Sequence, residues 1–109
     1  MISKNQIEIN FKSNDKNQVL KTLLYLTFNI DDFKWAQKMC LDTINTSADE
    51  DVIGVAITCI GHIARIYKKI DTALVTPVVE RKRQDIRFSG RVEDALDDIT
   101  IFVKNNSYH

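Results

Sequence analysis

Apolar residues recur at helical spacing over most of this chain, and part of the pattern occurs twice. The clearer copy is the segment DVIGVAITCIGHIA at residues 51–64, and a fainter copy, GRVEDALDDITIFV, covers residues 90–103. When the copies are superposed, Ile60 aligns with Ile99, which lies 39 positions later. A period of about 40 residues is typical of helical-hairpin repeats, which stack side by side and present a surface to a partner.

The same periodicity predicts five helices, at about residues 15–28, 32–44, 49–69, 71–83 and 91–104. The third is apolar around most of its circumference, as expected of a central helix with neighbours on both sides. Gly54 and Gly61 weaken this helix by about 1 kcal/mol each, so we expect them to let another helix approach closely. The first, third and fifth helices should form one layer, and the second and fourth the other.

The sequence pattern changes at the two ends of the chain, and a proline interrupts the fourth helix. Residues 7–11 alternate apolar and polar, which predicts an extended arm over residues 1–12, packed on the first helix. A single domain over 13–105 and a disordered tail over 106–109 should follow. The first helix carries an apolar stripe of Leu20, Leu23, Leu24 and Phe28. The fourth helix either begins after Asp71 or Thr72 and kinks at Pro77, or begins with Thr76 as its cap and Pro77 in its first position.

Helix caps are predicted from the polar residues that precede each pattern. Ser13 or Asn14 can cap the first helix, and Asp31 is expected to cap the second. Acids at such positions also interact favourably with the helix dipole. Capping is therefore one explanation for the acidic residues at helix starts.

Composition narrows the class of protein without fixing its function. The 109 residues suffice for one domain, with 44% hydrophobic and 28% charged residues. Fifteen basic and fifteen acidic residues balance, which argues against nucleic acid as the partner. No apolar run is long enough to span a bilayer, and the first residues lack a secretory signal, so we expect a cytoplasmic protein without membrane contact. Cys40 and Cys59 are expected to be buried free thiols.

The residues that carry the repeat resemble a known family. The segment 51–65 resembles the first helix of a HEAT-like repeat, in which an acid caps the helix and a glycine falls near its end. Residues 76–80 resemble the second helix of that hairpin, and 90–99 the start of the next repeat. The resemblance implies an all-α, short HEAT-like antiparallel stack. A free-standing stack of this length is similar to small bacterial immunity proteins of contact-dependent inhibition systems. That likeness implies a protein that binds and blocks a cognate toxin domain, often a nuclease.

Carboxylates are the main candidates for a binding site. Glu93, Asp94, Asp97 and Asp98 fall at i, i+3 and i+4 spacings, so they crowd one outer face of the fifth helix. Like charges at this spacing repel and destabilise a helix by a few tenths of a kcal/mol per pair. They are read either as solvated surface residues or as an acidic patch that meets a basic partner. A metal site is a weaker alternative, because no His or Cys joins the cluster.

The remaining candidates complete the predicted partner-binding set. Asp31 and Asp32 at the second helix start are either caps or part of the site, and Trp35 and Tyr67 are candidate aromatic anchors. The basic segment from Arg81 to Arg91 is either a solvated connection or a phosphate contact.

Three classes of function remain after the candidates are weighed. No nucleophile, base and orienting acid are evident, and no phosphate loop, so we predict a non-enzyme without cofactor or metal. The leading hypothesis is an immunity protein, as a monomer or in a 1:1 complex with its toxin. The alternatives are an adaptor or scaffold and a small nucleic-acid binder.

Overall fold

Residues 2–103 are described by the computed structural model, and all the regular structure within them is helical. The helices are α1 (Lys4–Phe11), α2 (Lys16–Asn29), α3 (Phe33–Thr46), α4 (Glu50–Tyr67), α5 (Thr72–Glu80) and α6 (Ser89–Phe102). The five predicted helices correspond to α2–α6, which confirms the all-α class. The predicted tail at 106–109 lies outside the described residues.

The N-terminal segment is a helix, so the prediction of an extended arm was wrong. Ser3 caps α1 by accepting a hydrogen bond from the backbone N–H of Gln6, at 3.2 Å. Ile7 and Phe11 are four residues apart, so a helix turns both towards the core as readily as a strand would. Ile7 is fully buried, whereas Ile9 between them is exposed. As predicted for the arm, the segment packs against the next helix, α2.

Aspartate side chains cap three of the helices. The side chains of Asp15, Asp32 and Asp49 accept backbone N–H groups of α2, α3 and α4 at 3.0, 3.1 and 2.9 Å. Such a cap satisfies an otherwise unpaired N–H group and stabilises a helix by about 1 kcal/mol. The predicted caps at Ser13 or Asn14 and at Asp31 therefore lay one or two residues too early. α5 starts after Asp71 and contains Pro77, so the alternative start at Thr76 was wrong.

α4 is the central helix, as its apolar circumference predicted. It packs against α2, α3 and α6, while α3 packs against α5. The helices expected to share a layer are therefore neighbours. The Cα positions span 42 × 32 × 16 Å. The shortest dimension fits two layers of helices, for which axes 8–10 Å apart give about 13–15 Å between outer Cα atoms. Cys40 and Cys59 are buried free thiols, as expected.

The two glycines of α4 lie where α6 approaches it, which confirms their predicted use. A Cβ on Gly61 would lie 2.8 Å from Asp98 Oδ2 and 3.3 Å from the Cα of Ala95. At Gly54 the side chain of Arg91 occupies that space, with Nε 2.9 Å away. Arg91 then donates hydrogen bonds to Thr58 Oγ1 at 2.7 Å and to the Gly54 carbonyl at 3.3 Å. No helix within residues 2–103 is both long and apolar enough to cross a membrane.

The contact at Gly61 predicts a substitution effect opposite to helix propensity. Alanine favours a helix over glycine by about 1 kcal/mol, yet a methyl group at Gly61 meets the backbone of α6. We expect Gly61→Ala to lower the free energy of unfolding by about 1–2 kcal/mol in urea titrations, because overpacking outweighs propensity. Gly90→Ala is the control, because nothing lies within 4 Å of its added Cβ, and it should leave stability unchanged or raised. Equal effects of the two changes would contradict the account.

Candidate functional site: an acidic cleft between α4 and α6

An open cleft of about 420 Å³ lies along the line where α6 packs on α4. Its α4 wall consists of Thr58, His62 and Arg65, and its α6 wall of Asp94, Ala95, Asp97 and Asp98. Positions three and four apart on a helix share a face. The helical spacing of the three aspartates therefore places them together, as the sequence suggested.

The cleft holds more negative than positive charge. Asp98 Oδ2 lies 3.8 Å from Arg65 Nε, which partly neutralises one carboxylate. Neither Asp94 nor Asp97 has a basic nitrogen within 4.0 Å among residues 2–103. Three carboxylates thus face the Arg65 guanidinium, and Arg91 binds Thr58 of the α4 wall. An excess of negative charge remains in this concave, half-enclosed space, where a positive side chain from another molecule would be attracted.

His62 closes the cleft on the side of α2. Its ring centroid lies 5.2 Å from that of Phe28, and its Nδ1 accepts a hydrogen bond from Arg65 Nη2 at 2.8 Å. Burial lowers the pKa of His62, and the charge of Arg65 lowers it further, against an opposing effect of Asp98. The lowered pKa favours the neutral imidazole, which does not offset the negative charge of the cleft.

The fourth acid of the predicted patch lies outside the cleft. Glu93 projects from α6 near Arg83, close enough for its charge to act on that guanidinium. Of the four acids predicted to form one patch, the structure brings Asp94, Asp97 and Asp98 together in the cleft and places Glu93 outside it.

The other predicted site residues gather at the start of α3. Asp32 caps α3 and also accepts a hydrogen bond from Lys4 Nζ at 2.7 Å, and Lys4 lies over the Trp35 ring at 5.1 Å. The Tyr67 hydroxyl donates to the carbonyl of Ile30. Burial raises the pKa of Tyr67, and the nearby charges of Asp31 and Asp32 raise it further. Asp32, Trp35 and Tyr67 thus hold α1, α3 and the end of α4 together.

The basic segment between α5 and α6 is engaged within the chain. Arg83 donates to Glu80 at 2.8 Å, and Arg87 donates to Asp85 at 2.7 Å. The bonds from Arg87 lower the pKa of Asp85 to about 2. Arg81 donates to Asn45 at 3.1 Å. These partners offset much of the charge that a phosphate contact would need. No group of three or more His, Cys, Asp or Glu residues is arranged to hold a metal ion within residues 2–103.

Sequence reasoning missed the cleft residues contributed by α4 and the neighbouring Phe28 of α2. Thr58 and Arg65 are ordinary polar positions in an apolar helix, and only the contact with α6 gives them a place in the site. Phe28 was visible as part of the α2 stripe, but the structure buries Leu23 and leaves Leu24 and Phe28 largely exposed. The sequence signal for this surface was the width of the α2 apolar stripe, which includes more residues than the core buries.

Comparison with known proteins gives a likeness to a solved structure. No family model matches this sequence, and no curated protein matches it. A chain in the crystal structure of a CDI complex from Cupriavidus taiwanensis LMG 19424 matches with a TM-score of 0.85 and 25% sequence identity. The match covers 94% of this chain and 92% of the other. The two chains therefore share their fold over nearly their whole lengths.

The two groups of carboxylates are distinguished by what they do for stability. We expect Asp32→Ala to lower the free energy of unfolding by about 1 kcal/mol, because it removes the α3 cap. Asp97→Ala should change it by less than about 0.5 kcal/mol or raise it slightly, because Asp97 has only like charges near it on α6. Denaturant unfolding at pH 7 measures both. A large loss of stability in Asp97→Ala would mean that this carboxylate is part of the fold.

Proposed function

We propose that this chain is an immunity protein of a contact-dependent inhibition system, which binds a toxin domain and neutralises it. The observation that carries the proposal is the fold shared with a chain of a CDI complex over 94% of this sequence. The repeat pattern independently resembled the same class of protein. Both point to a protein that acts by binding another protein and not by catalysis.

The proposed mechanism is occlusion of the toxin's active site, helped by the acidic cleft. A nuclease binds the phosphate backbone of its substrate through basic side chains. Its active site therefore presents positive charge with which Asp94 and Asp97 can pair. Complementary charge speeds the encounter and sets the orientation of the complex. A 1:1 complex follows if one cleft meets one active site. The toxin's nuclease activity is part of this proposal.

The HEAT-like description of the fold also belongs to the proposal. Three aligned pairs of the two repeat copies are buried in both helices: Ile53 with Val92, Ala56 with Ala95, and Ile60 with Ile99. α4 and α6 therefore use equivalent positions to face the core, as successive repeats of a stack do.

An adaptor or scaffold is the second candidate, and one feature favours it. A groove of about 450 Å³ lies between α3 and α5, on the other layer of the fold. Leu41, Leu74 and Val78 supply its apolar surface. A partner of mainly apolar character would use this groove in preference to the acidic cleft. The reading frame next to this gene separates the candidates, because an immunity protein is expected to follow a toxin-encoding frame.

The acidic cleft predicts a loss of toxin binding on charge reversal. We expect Asp94→Lys/Asp97→Lys to weaken binding of the toxin domain encoded immediately upstream by about 100-fold or more, since two favourable charge contacts become repulsive. Surface plasmon resonance at two salt concentrations measures the effect, which should appear mainly in the association rate. Asp98 is left unchanged because it packs against Gly61.

The matched control reverses two acids away from the cleft. Glu8 on α1 and Glu50 at the start of α4 line neither the cleft nor the α3–α5 groove. Glu8→Lys/Glu50→Lys alters the net charge equally and should leave affinity within about threefold. Equal losses in the two variants would show a general charge effect, and unchanged affinity in the cleft variant would remove the cleft from the mechanism.

A further inference from the structure

Three largely exposed apolar side chains lie together beside the acidic cleft. Leu24, Phe28 and Ile66 are 45%, 56% and 46% exposed. Leu24 lies one helical turn before Phe28 on α2, and Ile66 lies one turn beyond His62 on α4. Because the Phe28 ring contacts His62, the three side chains form one surface, here called the α2–α4 patch.

A series of contacts joins this patch to the carboxylates. The Phe28 ring packs on His62, His62 accepts a hydrogen bond from Arg65, and Arg65 reaches Asp98. His62 and Arg65 are themselves walls of the cleft. The patch and the cleft therefore have a common border, with no intervening surface element between them.

The α2–α4 patch has the apolar character of the centre of a protein interface, and the neighbouring carboxylates have the character of its polar rim. Clustered exposed apolar side chains are uncommon on a protein that has no partner, and they mark interaction sites. The core does not need these residues, because Leu23 and Leu26 fill the inner side of α2 completely. They stand on regular helices, so little conformational freedom is lost when a partner covers them.

We propose that the α2–α4 patch and the acidic cleft are one binding face, and that its occupant is the toxin domain. The inference rests on the proposed function and adds the chemistry of the contact. The toxin segment that binds here carries lysine or arginine side chains for Asp94 and Asp97, next to apolar side chains that cover Phe28 and Leu24. The patch would then mainly slow dissociation of the complex, and the carboxylates would mainly speed its association.

Charge favours this occupant over the others. A nucleic acid or an anionic membrane surface would bring negative charge against the unpaired carboxylates. A second copy of this chain, related by a two-fold axis through the patch, would place two acidic clefts in one interface. A basic protein surface can pair its positive side chains with the carboxylates of the cleft and cover the α2–α4 patch with apolar side chains.

The test is to make the patch polar without touching the cleft. We expect Leu24→Ser/Phe28→Ser to weaken binding of the upstream-encoded toxin domain by about 30-fold, mainly through faster dissociation. The matched control is Ile9→Ser/Ile86→Ser, which removes two exposed apolar side chains from α1 and the α5–α6 connection and should keep affinity within about threefold. Unfolding curves verify that each variant folds. If the first variant does not fold, Ile66→Ser takes its place with the same expectation.

The outcomes separate this inference from the function on which it rests. If the patch variant binds normally while Asp94→Lys/Asp97→Lys does not, the patch is overturned and the immunity function stands. If the wild-type chain does not bind the toxin domain, the proposed function itself fails. Sedimentation of the free chain tests the second copy, because a wild-type dimer that the patch variant converts to monomer would assign the face to self-association and overturn the proposal.

Discussion

The close approach of α4 and α6 is the contact on which the rest of the structure depends. It depends on Gly61, where an added Cβ would lie 3.3 Å from the Cα of Ala95 and 2.8 Å from Asp98 Oδ2, whereas the space at Gly54 is filled by the side chain of Arg91. Two glycines lower the intrinsic stability of α4 by about 1 kcal/mol each relative to alanine. Because the two helices pack closely, equivalent positions of the two repeat copies, such as Ile60 and Ile99, are buried in the same core.

The same contact produces the candidate site. α6 uses Ala95 and Ile99 to face the core, so its other face carries Asp94 and Asp97 at the edge of α4. Those carboxylates contribute no ion pair within the described part of the chain, whereas Asp32 and Asp49 cap helices and bind lysines. Acids that form no ion pair and lie in a concave surface are available to a partner. Under the proposed function, that partner is a toxin domain.

Much of the architecture could be predicted from the sequence, and the exceptions have physical reasons. Helical periodicity identified five helices and the central place of α4, because a helix buried on most sides must be apolar there. The α1 helix was missed because Ile7 and Phe11 suit a strand or a helix equally in so short a segment. Asp94, Asp97 and Asp98 were found from spacing on one helix. Arg65, His62 and Phe28 belong to the site only through contacts between helices, which periodicity does not encode. An apolar stripe likewise does not reveal that Phe28 stays uncovered.

The central claim is that the toxin domain binds the outer face of α2, α4 and α6. A 12.6 kDa chain is suited to two-dimensional NMR, so the direct measurement is a titration of the isotope-labelled chain with unlabelled toxin domain. The account predicts the largest amide and methyl shift changes at Thr58, Asp94, Asp97 and Ile66, with residues of the α3–α5 groove such as Leu74 unaffected. Changes confined to that groove, with the cleft signals unmoved, would contradict it.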